Sequence, residues 1–172
     1  MELQTFSSNG IDELRNWFAD EASLIQWGGP EVRFPLDREQ LQAMLDEGEG
    51  ARPKRWLFNG VRDGAVFAHT QAALDWRHGV ARLGRVAVKP AFRGQGLAAP
   101  FLQLIIDRLF QQPEFERVEL HVYTFNTVAI RTYEALGFRQ DGVRRSSVRV
   151  GAERWDTAIF GLLRGEARSV AS

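Results

Sequence analysis

Val86-Ala87-Val88-Lys89-Pro90 runs into Arg93-Gly94-Gln95-Gly96-Leu97-Ala98 just past the middle of a 172-residue chain. Val80 to Val88 has the composition of a strand, and Leu97, Phe101, Leu104, Ile105 and Leu109 then mark one apolar face of a helix. A glycine loop between strand and helix exposes unpartnered backbone N–H groups at the positive end of the helix dipole. Such a ring of donors suits a pyrophosphate. Pro100 fits a helix that opens at Leu97 or Ala98, since in the first turn it removes no intrahelical donor. Taken alone, the glycines favour a plain tight turn. A dinucleotide fingerprint fits less well, because the loop lies past mid-chain and follows a meander, and the following strand offers no convincing acidic partner. A kinase-type phosphate loop is excluded, for no Gly-Lys-Ser/Thr is present.

Working outward, the periodicity predicts a strand over Leu3–Phe6 and helical spacing through Ile11, Leu14, Trp17 and Phe18, with Gly28-Gly29-Pro30 as a break. A second helix is predicted over 37–47, with Asp37 as N-cap, Gln40 three residues on and Gly48 at its end. Strands follow over 55–62, 65–76 and 80–88, the first two joined by the hairpin signal Asp63-Gly64. After the helix, Val118, Leu120 and Val122 alternate along a strand to Tyr123, and a helix spans 126–136 with Gly137 as its cap. Two strands with a turn at Gly151 fill Phe138 to Leu163. This order predicts a mixed α/β sheet containing a βαβ unit from Val80 to Tyr123. Residues 1–165 read as one domain and 166–172 as a C-terminal tail.

Composition narrows the chemistry. The 22 basic and 22 acidic residues cancel, so no nucleic-acid partner is indicated. Without a cysteine, no disulfide, thiolate zinc site or cysteine nucleophile can form. His69, His78 and His121 are the only histidines and show no metal-ligand spacing, so no metal is expected. Met1-Glu2-Leu3-Gln4 has neither a basic start nor an apolar stretch, and no run reaches membrane-spanning length. The default expectation is a cytoplasmic protein with no membrane partner.

Two linked motifs then carry a resemblance. Arg93, Gly96 and Ala98 match the pattern Arg/Gln-x-x-Gly-x-Gly/Ala, and Asn126, Ala129, Tyr133, Gly137 and Phe138 follow at the matching distance. From about Arg82 to Phe138 the chain resembles the GNAT superfamily of N-acetyltransferases, as a small bacterial-type member. The resemblance implies the GNAT fold: a mixed, mostly antiparallel central sheet with a splayed parallel strand pair and helices on both faces. It implies acetyl-CoA as co-substrate and transfer of its acetyl group to a primary amine, either a small molecule or a protein N-terminus. Val86, Ala87 and Val88 would bond the pantetheine arm through their backbone. Arg93, Gly94, Gln95, Gly96, Leu97 and Ala98 would hold the pyrophosphate. Asn126 would touch the arm, small Ala129 would leave room for it, and Tyr133 would protonate the leaving thiolate.

The general base is open at this level. Many family members carry a glutamate before the glycine loop, whereas this chain reads Leu83-Gly84-Arg85-Val86 there. In the branch acetylating ribosomal-protein N-termini, a Leu-Glu-Val run supplies the base, and here Leu120-His121-Val122 takes its place. His121 is thus a candidate base with a suitable ordinary pKa, or a packed strand histidine. Glu119, Tyr123 and a water chain are the alternatives. Trp27, Phe34, Trp76 and Trp155 are candidate acceptor walls or core aromatics, and Arg144, Arg145 and Arg149 a draw for an acidic acceptor or a solvated face. A catalytically degenerate CoA-binding sensor or interaction module stands as the alternative function. A homodimer is compatible with all of this, and the oligomeric state is left open.

Overall fold

The computed structural model describes residues 1–167. In chain order its elements are β1 (Glu2–Thr5), α1 (Ile11–Leu14), α2 (Glu21–Gly28), α3 (Arg38–Asp46), β2 (Arg55–Arg62), β3 (Ala65–Asp75), β4 (Val80–Val88), α4 (Ala98–Phe110), β5 (Arg117–Tyr123), α5 (Thr127–Ala135), β6 (Arg139–Val150) and β7 (Glu153–Leu163). The strands form one seven-stranded sheet in the order β1-β2-β3-β4-β5-β7-β6. Every pairing is antiparallel except β4 with β5. That one parallel pair is joined across α4, the βαβ unit expected from Val80 to Tyr123.

Alternation along the strands divides the apolar side chains between two faces. Phe67, Leu83, Val118, Leu120 and Val122 bury against Phe101, Ile105 and Leu109 of α4 on one face. On the other, Leu57 and Ala87 pack against Ile11, Leu24, Trp27, Leu41 and Met44 from α1, α2 and α3. Helices therefore cover both faces, and hydrophobic burial holds the sheet between them.

The first sixty residues depart most from their reading. Only Ile11–Leu14 is α-helical, with 3-10 turns on either side, so the apolar spacing through Phe18 does not build one long helix. Helix α2 goes unannounced by an Asp/Ser-x-x-Glu/Gln signature because its capping box uses serine. The Ser23 N–H donates to Asp20 Oδ1 at 2.7 Å and the Asp20 N–H donates to Ser23 Oγ at 3.2 Å. Helix α3 begins as expected, with the Gln40 N–H donating to Asp37 Oδ1 at 2.8 Å.

At the far end, Glu166 pairs with Arg139 at 2.9 Å and Ala167 packs against the main core. The rest of the expected tail, 168–172, lies outside the described residues.

Candidate active site

Strands β4 and β5 pair only from Val80–Arg117 to Leu83–Leu120. Beyond that point β4 bonds to β3 alone and β5 to β7 alone. The edge of β4 from Gly84 to Val88 that faces β5 thus has no strand partner within the protein. A free strand edge in a cleft is ready to pair with an extended ligand that carries amides. The cleft opened by the divergence encloses about 810 Å³.

A bulge makes this edge possible. His69 pairs with Ala87 and Gln71 with Gly84, so Thr70 alone opposes both Arg85 and Val86. Arg85 adopts φ 51°, a left-handed conformation uncommon for a residue with a Cβ. The extra residue reverses the alternation. Leu83 faces the α4 core, whereas after the bulge Val86 and Val88 take that side and Ala87 turns to the α1–α3 core.

At the end of β4 the chain turns through the glycine loop into α4. Gly94 and Gly96 sit at φ 75° and 70°, and a Cβ on either would meet no protein atom within 4 Å. Packing within the protein therefore does not require these glycines; the backbone conformation and close approach of a ligand do. After Arg93, the next backbone N–H bonded to a carbonyl is that of Phe101, to Leu97 O at 3.2 Å, as first-turn donors lack an intrahelical partner. Arg93 folds back so that Nε donates to Val88 O at 3.0 Å, which ties the loop to the free edge. The Leu97 side chain is turned into the core and offers only its backbone. Val86, Ala87, Val88, Arg93 and Ala98 line the cleft, while Gly94, Gln95 and Gly96 lie between Arg93 and Ala98 in the chain and are not part of its lining. The donor-rich loop, the open space over its glycines and the free strand edge fit a ligand with a pyrophosphate at one end and amides along its arm.

Helix α5 is fixed at both ends. Asn126 Oδ1 accepts from the Ala129 N–H at 3.3 Å, so Asn126 is its N-cap. Gly137, at φ 98°, closes it in a Schellman motif: the Phe138 N–H donates to Tyr133 O at 3.1 Å and the Gly137 N–H to Glu134 O at 3.0 Å. The accompanying apolar contact is an edge-on meeting of the Tyr133 and Phe138 rings at 6.1 Å. The motif that ends the helix therefore also sets the Tyr133 ring, which lines the cleft beside Asn126 and Ala129. Burial pushes the Tyr133 phenol up to about 12. Its hydroxyl bonds to no other described residue.

His121 also lines the cleft, from the face of β5 opposite Leu120 and Val122. Partial burial lowers its pKa below the ordinary 6.5, the nearby charges of Arg82 and Arg144 add to this, and Glu119 opposes them. The imidazole is accordingly neutral at pH 7. Glu119 is held by Arg82 at 2.9 Å and by Arg117 at 3.5 Å. Tyr123 is packed under α2 with its hydroxyl 3.5 Å from Ile25 O, and burial raises its pKa. Of the three side chains considered as base, His121 alone is both neutral-accepting and open to the cleft.

A buried polar chain beneath the bulge has no counterpart in the expectations. Arg85 donates to Gln71 Oε1 at 2.9 Å, Gln71 Nε2 lies 3.2 Å from His69 Nε2, and His69 Nδ1 lies 3.0 Å from Asn59 Oδ1. A guanidinium can only donate, so Gln71 Oε1 accepts and its Nε2 donates. His69 Nε2 is then the acceptor, and Nδ1–H donates to Asn59. Every member is satisfied with His69 neutral. Complete burial lowers its pKa to about 3, with Arg85 adding to the shift. The folded pKa lies below the unfolded one, so this group's contribution is whole above pH 6.5 and is lost as pH falls towards 3. Across that window unfolding stability is expected to drop by about 1.4 kcal/mol per pH unit from this group. Urea midpoints measured from pH 7 to 4 should fall less steeply for His69→Gln than for the parent; equal slopes would show that His69 is not the source. The signal in the sequence was Gly84 within a strand pattern, which marks a bulge.

Among the candidate aromatic walls, Trp27 alone lines the cleft. Trp76 packs on Phe115, Trp155 on Tyr123 and Phe125, and Phe34 is exposed. Arg144 lines the cleft; Arg145 and Arg149 do not.

The family model described as the Acetyltransferase (GNAT) family matches residues 11–138. An SPbeta prophage-derived uncharacterized N-acetyltransferase of Bacillus subtilis is 31% identical over 81 residues, 47% of this chain and 46% of that one. The ribosomal protein bS18-alanine N-acetyltransferase of Escherichia coli is 36% identical over 98 residues, 57% of this chain and 63% of the relative. The matches thus span about half to just under two thirds of these relatives. Spermidine N-acetyltransferase of Vibrio cholerae, solved with CoA and spermine, superposes with a TM-score of 0.83 at 15% identity over 96% of both chains, a likeness of fold. With the family model covering most of its length, the chain belongs to the GNAT acetyltransferase family.

Proposed function

We propose that this chain is an acetyl-CoA-dependent N-acetyltransferase that passes the acetyl group directly to a primary amine. The observation that carries this reading is a single cleft onto which the free edge of β4, the start of α4, Asn126, Tyr133 and His121 all converge. Val86, Ala87 and Val88 bond the pantetheine arm, with Asn126 and Ala129 alongside. The backbone from Gly94 to Ala98, with Arg93, takes the pyrophosphate.

The amine nitrogen attacks the acetyl carbonyl carbon, the carbon–sulfur bond breaks, and an amide and CoA result. One proton leaves the amine and one joins the thiolate. His121 accepts the first, because the attacking amine must be neutral and alkylamines are mostly protonated near pH 7. Tyr133 donates the second and is restored from solvent. The burial that raises the phenol also disfavours a bare thiolate beside it, so the donation is matched to its acceptor. A backbone N–H on the free edge is available to the carbonyl oxygen as charge builds there. Holding both reactants in one cleft supplies much of the acceleration.

Since the imidazole pKa is lowered, the acidic limb of kcat/KM should have its midpoint below 6.5. His121→Ala is expected to remove that limb and reduce kcat about 10²-fold. A limb persisting at the same pH in the variant would rule out His121 as the base.

A further inference from the structure

The wall of the cleft is basic well beyond what a pyrophosphate needs. Its charged lining is Arg55, Arg82, Arg85, Arg93 and Arg144 against the single carboxylate of Glu31. Arg93 belongs to the glycine loop. Arg55 is answered by Glu47 at 2.6 Å and Arg82 by Glu119 at 2.9 Å. Among the described residues no carboxylate forms an ion pair with Arg85 or Arg144, and Glu31 and Glu47 act on Arg85 only at longer range.

Arg85 is the more telling of the two, because the fold is built around it. It occupies the strained position of the bulge, at φ 51°. The Trp27 indole N–H donates to its carbonyl at 2.6 Å, and the Thr70 hydroxyl donates to the carbonyl of neighbouring Gly84 at 3.1 Å. One arm of its guanidinium is fixed by Gln71, which is itself held through His69 and Asn59. Its pKa falls to about 10, chiefly through burial and next through Arg55, so it remains charged at neutral pH. A largely desolvated cation without a counter-ion is unfavourable, and strain of this kind collects at functional sites. The remaining guanidinium donors suit an oxyanion in the cleft.

The phosphates of CoA are poor candidates for that anion. They belong at the N-terminus of α4, beyond the far end of the free edge. Arg85 stands at its near end, directly before the residues that hold the thioester arm, and Gln71 anchors it beside Met44 on the α1–α3 side. With the arm and phosphates along the far part of the edge, the end of the cleft beside Arg85, which Trp27, Gly28 and Glu31 also line, is the space left for an acceptor.

We propose that Arg85 determines acceptor specificity by binding a carboxylate that the amine substrate carries on or beside its amine-bearing carbon. The acceptor is then an amino-acid-like amine and not a polycation. A polyamine would bring several positive charges to a wall already in excess of them, with Glu31 alone to meet them. The proposal rests on the acetyltransferase reading and deepens it.

The test compares amino acids with their own carboxamides, which keep the shape and lose the charge, and with spermidine. Acetyl transfer is followed by amine-dependent release of the CoA thiol and by mass of the product. The carboxamide amine is the less basic, so more of it is neutral at pH 7, and a preference for the carboxylate must come from the site. The parent protein is expected to favour the carboxylate about 10- to 100-fold in kcat/KM, the range of one charge-assisted contact. In Arg85→Met that ratio should fall to about one, through KM, and Arg85→Lys should restore part of it. The parent's own ratio stands whether or not a variant folds. A parent that prefers carboxamides or spermidine overturns the proposal and leaves acetyl transfer intact. So does Arg85→Met if it slows every amine equally, since that is a role in the acyl-transfer step. Absence of transfer to any amine overturns both readings.

Discussion

Tyr133→Phe is expected to lower kcat by about 10²- to 10⁴-fold, the usual worth of a positioned proton donor. Affinity for acetyl-CoA should stay within about twofold, since a single neutral hydrogen bond that water can replace contributes little net free energy. The variant is a clean one. Phenylalanine keeps the ring, hence the edge-on contact with Phe138 and the buried surface that seats α5. The Schellman bonds run through the backbone of residues 133, 134, 137 and 138 and do not involve the hydroxyl. No described residue loses a hydrogen-bond partner, so no buried group is stranded by the change. The phenol, held at about 12, stays protonated over the working range. The alkaline limb of the profile should therefore be no different between the two proteins below that pH. Single-turnover release of CoA separates the acyl-transfer step from binding. A kcat equal to the parent's would remove Tyr133 from the reaction.

Gly96→Trp is expected to raise the Kd for acetyl-CoA at least about 100-fold, the equivalent of losing two charge-assisted contacts. The position is at φ 70°, so any side chain adds strain of about 1–2 kcal/mol. Around it, though, a Cβ meets nothing within 4 Å, so a side chain leaves the backbone there without a clash at its root. The indole would stand beside the backbone N–H groups between Arg93 and Phe101 that bond to no carbonyl. The variant should thus melt within a few degrees of the parent and fail to bind. Calorimetry read beside a thermal melt distinguishes this from unfolding. Parent-like affinity in a folded Gly96→Trp protein would place the phosphates elsewhere.

These two residues are singled out from the chain alone by signals that are local. The glycine loop is recognised because it falls between a strand period and a helix period. Tyr133 is recognised because it shares a helix face with Asn126 and Ala129 and precedes a glycine cap. Each signal lies within a dozen residues, and Arg93, Ala98, Asn126, Ala129 and Tyr133 from the two stretches line one cleft. The hairpin of the meander was legible for the same reason, through Asp63-Gly64, and so was β5, through the alternation of Val118, Leu120 and Val122.

What was not legible depends on distant pairing. Arg85 looks like one more strand residue until the register of β3 shows that Thr70 faces two partners. His69, Gln71 and Asn59 belong to two strands, and only the sheet brings them into a line ending at Arg85. Helix α2 was missed because serine stands in for the longer acceptor of the usual box. The candidate aromatics were sorted by tertiary packing: Trp27 alone reaches the cleft, while Trp76 and Trp155 are taken up elsewhere.

The most direct test uses the absence of cysteine from this chain. A thiol reagent in the assay can then report only CoA. With acetyl-CoA saturating and an amine panel added, the account predicts thiol release that depends on both the protein and the amine. Each thiol should be matched by one acetylated amine in the mass spectrum. Saturable acetyl-CoA binding with no amine-dependent thiol release across the panel would contradict it, and would leave a cleft that holds CoA without using it.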